Sequence, residues 1–315
     1  MSNSKIYKGQ EHFVSEIDET GLGAVDAVRD ESAPRSMWGE AWRKMSRRPL
    51  FWFSAVIITI AILLALFPWM FTSVDPNACQ INNSLKPATA GHIFGYDLQG
   101  CDIFARTVYG ARSSVTVGVL ATIIVTLIGT IIGALAGYYG GFWDSLLSRV
   151  TDIFFAIPFL LAAIVVTQMF KNNRSIITVV LVLAIFGWPQ IARITRGEVI
   201  SIKNEEYVTA SRSLGAKGLS TLVRHILPNA SAPIIVYTTV ALGAFIVAEA
   251  TLSFLGLGLP VDIVSWGADI SRAQVSLRNQ PSVLFYPAGG LALTVLGFIM
   301  MGDVVRDALD PKARK

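Results

Sequence analysis

The sequence predicts an all-α membrane protein with six transmembrane helices and both termini on the cytoplasmic side. Three observations carry this: scarce charge, six long apolar segments and a one-sided distribution of basic residues. Of 315 residues, 53% are hydrophobic and 15% charged, whereas a soluble domain carries about a quarter charged residues. The deficit falls in stretches without any charge. A helix needs about 20 mostly apolar residues to cross the hydrocarbon core, and six segments meet that requirement.

Residues 1–36 are polar, acidic in places (Glu16, Asp18, Glu19) and without helical periodicity. They read as a disordered cytoplasmic tail. Residues 37–110 then comprise an interfacial helix, the first span and an outer loop. In Met37 to Arg48, Trp38 and Trp42 share one helical face, with Arg43, Lys44, Arg47 and Arg48 around them. That composition suits a helix lying in the inner interface, or a plain basic flank. The first span runs from Phe51 to Phe71. The outer loop after it carries both cysteines, Cys79 and Cys101, in a compartment where disulfides persist. A bridge and two free thiols both remain open.

Residues 111–315 form the main transmembrane domain. The second span, Ser114 to Tyr138, carries Gly129, Gly133 and Gly137 at every fourth position, a strip against which another helix can pack closely. The third, Ile153 to Phe170, and the fourth, Ser175 to Ala192, flank the polar quartet Lys171 to Arg174 and read as a tight hairpin. Trp188 and Pro189 are expected to kink the inner end of the fourth, anchored by Arg193 and Arg196. The fifth runs from about Ala230 to Leu255, the sixth from about Val283 to Met301. Glu249 is the one ionisable residue inside these spans. It points either to gating or a pore contact, or to a buried, hydrogen-bonded structural group. Arg306 is expected to pair with Asp303 or Asp310.

The isoelectric point of about 9.1 does not indicate nucleic acid. With both termini inside, cytoplasmic segments hold 19 of the 26 basic residues and outer loops 7, the positive-inside signature. His12, His92 and His225 are far apart, and no metal-ligand spacing, phosphate-binding loop or nucleophile elbow occurs. No catalytic residue and no metal site is expected.

The connection between spans four and five, residues 204–228, is the most informative stretch. Asn204 suits an N-cap, and Glu205 and Glu206 suit the first turn of a helix. That helix is expected to run through Ala210 to about Leu214 and to end at Gly215. A second helix is expected from near Ser220 to Leu227, stopped by Pro228. Ala210, Ser211, Ser213, Gly215 and Ala216 offer a small-residue surface on which a partner can close. The pattern resembles the EAA loop of bacterial ABC importer permeases. The run from Glu206 to Ala216, with Arg224-His225-Ile226-Leu227-Pro228-Asn229, is similar to the dipeptide/oligopeptide/nickel permease family, and to the second permease of its pair. Leu252 to Gly258, Ser265-Trp266-Gly267, Gly302 to Pro311 and Gly95 to Asp102 resemble further family motifs in the same order. Tyr96, Cys101, Ser211 and Ser213 depart from the usual residues, and a second proline near Pro260 is missing.

The resemblance covers about Trp38 to Pro311. It implies a type I ABC importer permease fold in the bacterial inner membrane, and a pore subunit for di- or oligopeptides. It implies as partners a sister permease, two ATPase subunits that bind the ATP and Mg, and an extracytoplasmic substrate-binding protein. Glu206, Ala210, Ser211, Leu214, Gly215 and Ala216 would form the ATPase-coupling loop, and the C-terminal segment could touch an ATPase. Permeases for nickel or another small solute share these motifs. An ion-gradient-driven transporter would carry more intramembrane carboxylates, and a non-transporting scaffold leaves the loop without a purpose.

Overall fold

Glycine and proline decide where the long apolar runs stop being single helices. The computed structural model describes residues 37–309, so the tail expected over 1–36, together with Asp310 and Pro311, lies outside the described residues. Within them the chain is helical, without a β-strand. The helices are α1 (Met37–Ser46), α2 (Pro49–Leu66), α3 (Ile103–Tyr139), α4 (Gly141–Ala156), α5 (Phe159–Met169), α6 (Ile176–Lys203), α7 (Glu206–Ser213), α8 (Gly218–Thr221), α9 (Leu227–Phe254), α10 (Trp266–Ala273) and α11 (Ser282–Leu309). Helices α2, α3, α6, α8 with α9, and α11 are each long and apolar enough to cross a membrane. The pair α4 and α5, bent by 83°, is long and apolar enough only when taken together, as a broken span or a re-entrant loop.

That bend corrects the expected third span. Gly140 and Gly141, with φ of 68° and 57°, separate α3 from α4, and most of the stretch between the expected second and third spans is helical. Pro158 disfavours helical backbone at the preceding residue, and Ile157 is extended at φ −100°, ψ 121°. The first span likewise ends at Leu66 and not at Phe71. Phe67, before Pro68, leaves the helical region at φ −128°, ψ 52°, and a short 3-10 turn follows. Pro189, by contrast, sits inside α6 without ending it. At 28 residues, α6 is about 42 Å long and outruns the hydrocarbon core.

A second correction concerns Pro228. No separate helix ends there: α8 passes through a π turn, Leu222–Ile226, directly into α9. Leu227 N–H bonds to the Leu222 carbonyl, five residues back. The wider turn accommodates the proline ring, and Pro228 has no N–H to lose at this position.

The core is built on α3, α6 and α9, with Val125, Val179, Leu183, Ile191, Phe245 and Leu252 buried together. The glycine strip faces α6. A Cβ at Gly133 would lie 2.3 Å from the Ala192 carbonyl oxygen, and one at Gly137 2.9 Å from that of Arg196. Only hydrogen at these positions lets the two backbones approach so closely. Beside this core, α2 packs on α11, where a Cβ at Gly297 would meet Ile57 at 2.8 Å. On α1, Trp38 and Trp42 are exposed, and Trp42 packs edge-on against Phe51 of α2. The expected Arg306 pairing with Asp303 does not form among the described residues; Asp307 pairs with Arg48 instead. Arg193 and Arg196 pair with Asp152 and Asp144, which fastens α4 to α6.

Candidate functional site

Helix α7 protrudes between the ends of α6 and α8, and its boundaries are set locally. Asn204 closes α6, its side chain donating to the Ile200 carbonyl at 3.2 Å. It is therefore not the N-cap of α7. Glu205 holds that position in extended backbone. Glu206 lies in the first turn and Arg212 in the last, the arrangement the helix dipole favours. At the far end Gly215 takes φ +87°. Ala216 N–H bonds to the Ser211 carbonyl at 3.2 Å and Gly215 N–H to that of Arg212 at 2.9 Å, completing a Schellman cap.

The two faces of α7 differ. Val208 is fully buried, in one cluster with Tyr138, Val199, Leu222 and Ile226. Glu206 and Ala210 are exposed, Ser211 and Ala216 half-buried. Leu214, at the tip, is 89% exposed, and Leu219 is 60% exposed. A polar protrusion that holds a leucine almost wholly in solvent has the character of a contact surface. A Cβ at Gly215 would meet no atom of the described residues within 4 Å, so its demand on the sequence is conformational. All six residues singled out from the sequence thus lie on α7 or its cap. Sequence reasoning missed the base of the helix, where Tyr138, Lys203, Arg212 and Gly218 converge. Tyr138 and Lys203 are 65 positions apart, beyond the reach of any local pattern.

The opposite end of the bundle is stapled. Cys79 and Cys101 form a disulfide with Cα atoms 4.1 Å apart. Asp97 Oδ1 accepts from Gln99 N–H at 2.9 Å and Cys101 N–H at 2.8 Å. Asp102 caps α3 through Ala105 N–H and pairs with His92, both at 2.6 Å. Arg106, buried, donates from Nε and Nη2 to Asp269 Oδ1 of α10 at 3.0 and 2.5 Å, and from Nη1 to the Pro76 carbonyl at 3.1 Å. We expect non-reducing mass spectrometry to recover the Cys79–Cys101 peptide with neither thiol alkylatable. Cys101→Ser should then lower stability by about 2–3 kcal/mol in a detergent unfolding series; free thiols in the native protein would overturn both statements.

Glu249 is fully buried. Its Oε1 accepts from Ser253 at 2.7 Å, and Ser114 of α3 and Ser265 at the start of α10 face the same carboxyl. Oε2 has no partner in hydrogen-bonding geometry among the described residues. The group thus sits where α3, α9 and the N-cap of α10 meet. A separate cavity of about 410 Å³ lies beside the α4–α5 bend, lined among others by Phe154, Phe159, Phe186, Gln190, Tyr237 and Phe245. No group of His, Cys, Asp and Glu among the described residues could hold a metal ion.

Comparison with known proteins bears on this arrangement. Residues 126–315 match the family described as binding-protein-dependent transport system inner membrane component. Residues 36–88 match the N-terminal TM domain of oligopeptide transport permease C. The chain is 40% identical over 299 residues, 95% of its length and 97% of the relative's, to the oligopeptide transport system permease protein OppC of Bacillus subtilis (strain 168). It is 37% identical over 297 residues, 94% of its length and 97% of the relative's, to the glutathione transport system permease protein GsiD of Escherichia coli O6:K15:H31. The corresponding protein of Shigella flexneri serotype 5b is 38% identical over 294 residues, 93% of this chain and 96% of that one.

Proposed function

The chain belongs to the family of binding-protein-dependent transport system inner membrane components, and from that premise we propose that it forms half of the transmembrane pathway of an ATP-driven importer of di- or oligopeptides. It is a multi-pass inner-membrane protein. The observation that carries the reading is α7, a short rigid helix fixed between two spans with Leu214 held out in solvent. The excess of basic residues on that side of the spans supports a cytoplasmic location for it and for both termini. There, the tip around Leu214 and Gly215 sits in a groove of an ATPase subunit. Closure of the two ATPases on ATP displaces α7 and switches the pore between inward- and outward-facing states, a rigid-body transition between bistable arrangements.

This chain binds no nucleotide under that reading; ATP and Mg belong to the ATPases, and a sister permease completes the pore. An extracytoplasmic binding protein delivers cargo. The relatives named for oligopeptide and glutathione transport support peptide cargo over nickel. Glu249, enclosed by serines of its own chain, serves as a brace at the outer end. The broken third span lines the pathway: Phe155 to Pro158 are exposed within the single chain, and lipid cannot satisfy non-helical backbone at membrane depth.

The reading is tested by reconstituting the complete complex in proteoliposomes and following a labelled peptide. Uptake is expected to need ATP, the binding protein and this subunit together. Accumulation driven by an ion gradient without ATP would contradict it.

A further inference from the structure

Where α7 meets the bundle, four helices converge on one aromatic ring. Tyr138, in the last turn of α3, is 8% exposed. The Arg212 guanidinium of α7 lies 4.9 Å from the centre of its ring. Lys203, the last residue of α6, holds its ammonium 5.6 Å from the same ring and donates to the Tyr138 carbonyl. That carbonyl is one of those a helix end leaves without an internal partner, and Lys203 supplies one. Gly218, the first residue of α8, approaches so closely that a Cβ would lie 3.1 Å from the tyrosine hydroxyl oxygen.

The alternatives for passing a push from α7 into the spans are few. α7 is eight residues long and buries one side chain, Val208. Its remaining links to α6 and α8 are short connections of chain. Cation–π attraction is directional towards the ring face and survives partial exposure, so Arg212 fixes the angle of α7 as well as its position. Behind Tyr138, the glycine strip seats the α3 backbone against the Trp188, Ala192 and Arg196 carbonyls of α6, with Ile191 and Val199 packed against it. A displacement of the ring therefore moves two spans as one body.

We infer that Tyr138 is the pivot that transmits the motion of α7 to the pore, a positioning residue gripped by Arg212 and Lys203. The inference rests on the proposed seating of α7 in an ATPase. The two are separable, because the pivot concerns transmission and the seating concerns attachment.

The test compares cargo imported per ATP hydrolysed in the reconstituted complex. Tyr138→Leu is expected to lower that ratio about five- to thirtyfold, the scale set by two cation–π contacts, while both ATPases still co-purify and hydrolyse ATP. Tyr138→Phe keeps the ring and retains the ratio. Arg212→Gln, at an exposed position, gives about a twofold fall on the scale of one such contact, and gives no further fall in the Tyr138→Leu background. A wild-type ratio in Arg212→Gln overturns the pivot, even where Tyr138→Leu fails to accumulate. Equal impairment in Tyr138→Phe and Tyr138→Leu overturns it as well. Failure of the wild-type permease to hold the ATPases through α7 would instead remove the reading beneath it.

Discussion

Gly215→Asp is expected to reduce peptide uptake about 100-fold or more while the permease still accumulates in the membrane. Two costs combine. An aspartate at φ +87° sits in the left-handed region, where a side chain costs about 1–2 kcal/mol. Seated against a partner, its carboxylate is also buried without a counter-charge, at a cost of several kcal/mol. About 1.4 kcal/mol corresponds to a tenfold change, so the sum exceeds two orders of magnitude. The fold itself is spared, since a Cβ here meets no atom of the described residues within 4 Å. Gly215→Asn separates the two costs. Asparagine meets the same left-handed backbone as aspartate but carries no charge, so its loss should be about tenfold or smaller. Uptake and ATPase stimulation measured together on both variants check the ordering. Equal, near-normal uptake by both would leave Gly215 as an ordinary helix-ending glycine.

Arg106→Ala should be the most destabilising of the single changes considered, by about 3–5 kcal/mol, the usual cost of stripping one partner from a buried ion pair. Asp269 Oδ1 accepts from Arg106 Nε and Nη2, and Asp269 Oδ2 has no partner of its own among the described residues. Removing Arg106 leaves the buried carboxylate with only Arg272, at 3.8 Å. It also frees the Pro76 carbonyl that Nη1 engages. The joint between α3, α10 and the disulfide-stapled loop should open, and thermal unfolding in detergent should begin at that end. Replacing both partners by apolar residues, Arg106→Met with Asp269→Leu, should recover most of the loss, because no unpaired charge then remains. A single variant as stable as the native chain would show that the pair holds nothing together.

The spans were legible because a run of some 20 uncharged residues has few other physical uses. Composition alone, however, does not register a bend. Pro158 lies in an apolar run much like those around Pro189, Pro233 and Pro287. The latter three sit inside helices, whereas Ile157 before Pro158 turns the chain. Which proline breaks its helix depends on neighbours that restore the lost hydrogen bond, and those neighbours are distant in sequence. The same division holds at the site. The C-terminal cap of α7 could be read from Gly215, because its hydrogen bonds span five residues or fewer, whereas the N-cap is Glu205 and not the expected Asn204. The base of α7 could not be read, since Tyr138, Lys203 and Arg212 belong to three different helices. The Arg48–Asp307 pair, 259 positions apart, escaped for the same reason, and nearby Asp303 offered the sequence a plausible but unused partner.

The proposed seating of α7 in an ATPase can be tested directly. A bifunctional reagent attached to Leu214→Cys, in the complete complex within its membrane, should join this subunit to an ATPase in high yield. The yield should change between nucleotide-free and ATP-bound states. The two cysteines of this chain, bridged to each other, leave the label on a single position of this subunit. A complex that imports peptide normally, yet crosslinks from this position only to lipid or to the sister permease, would contradict the account.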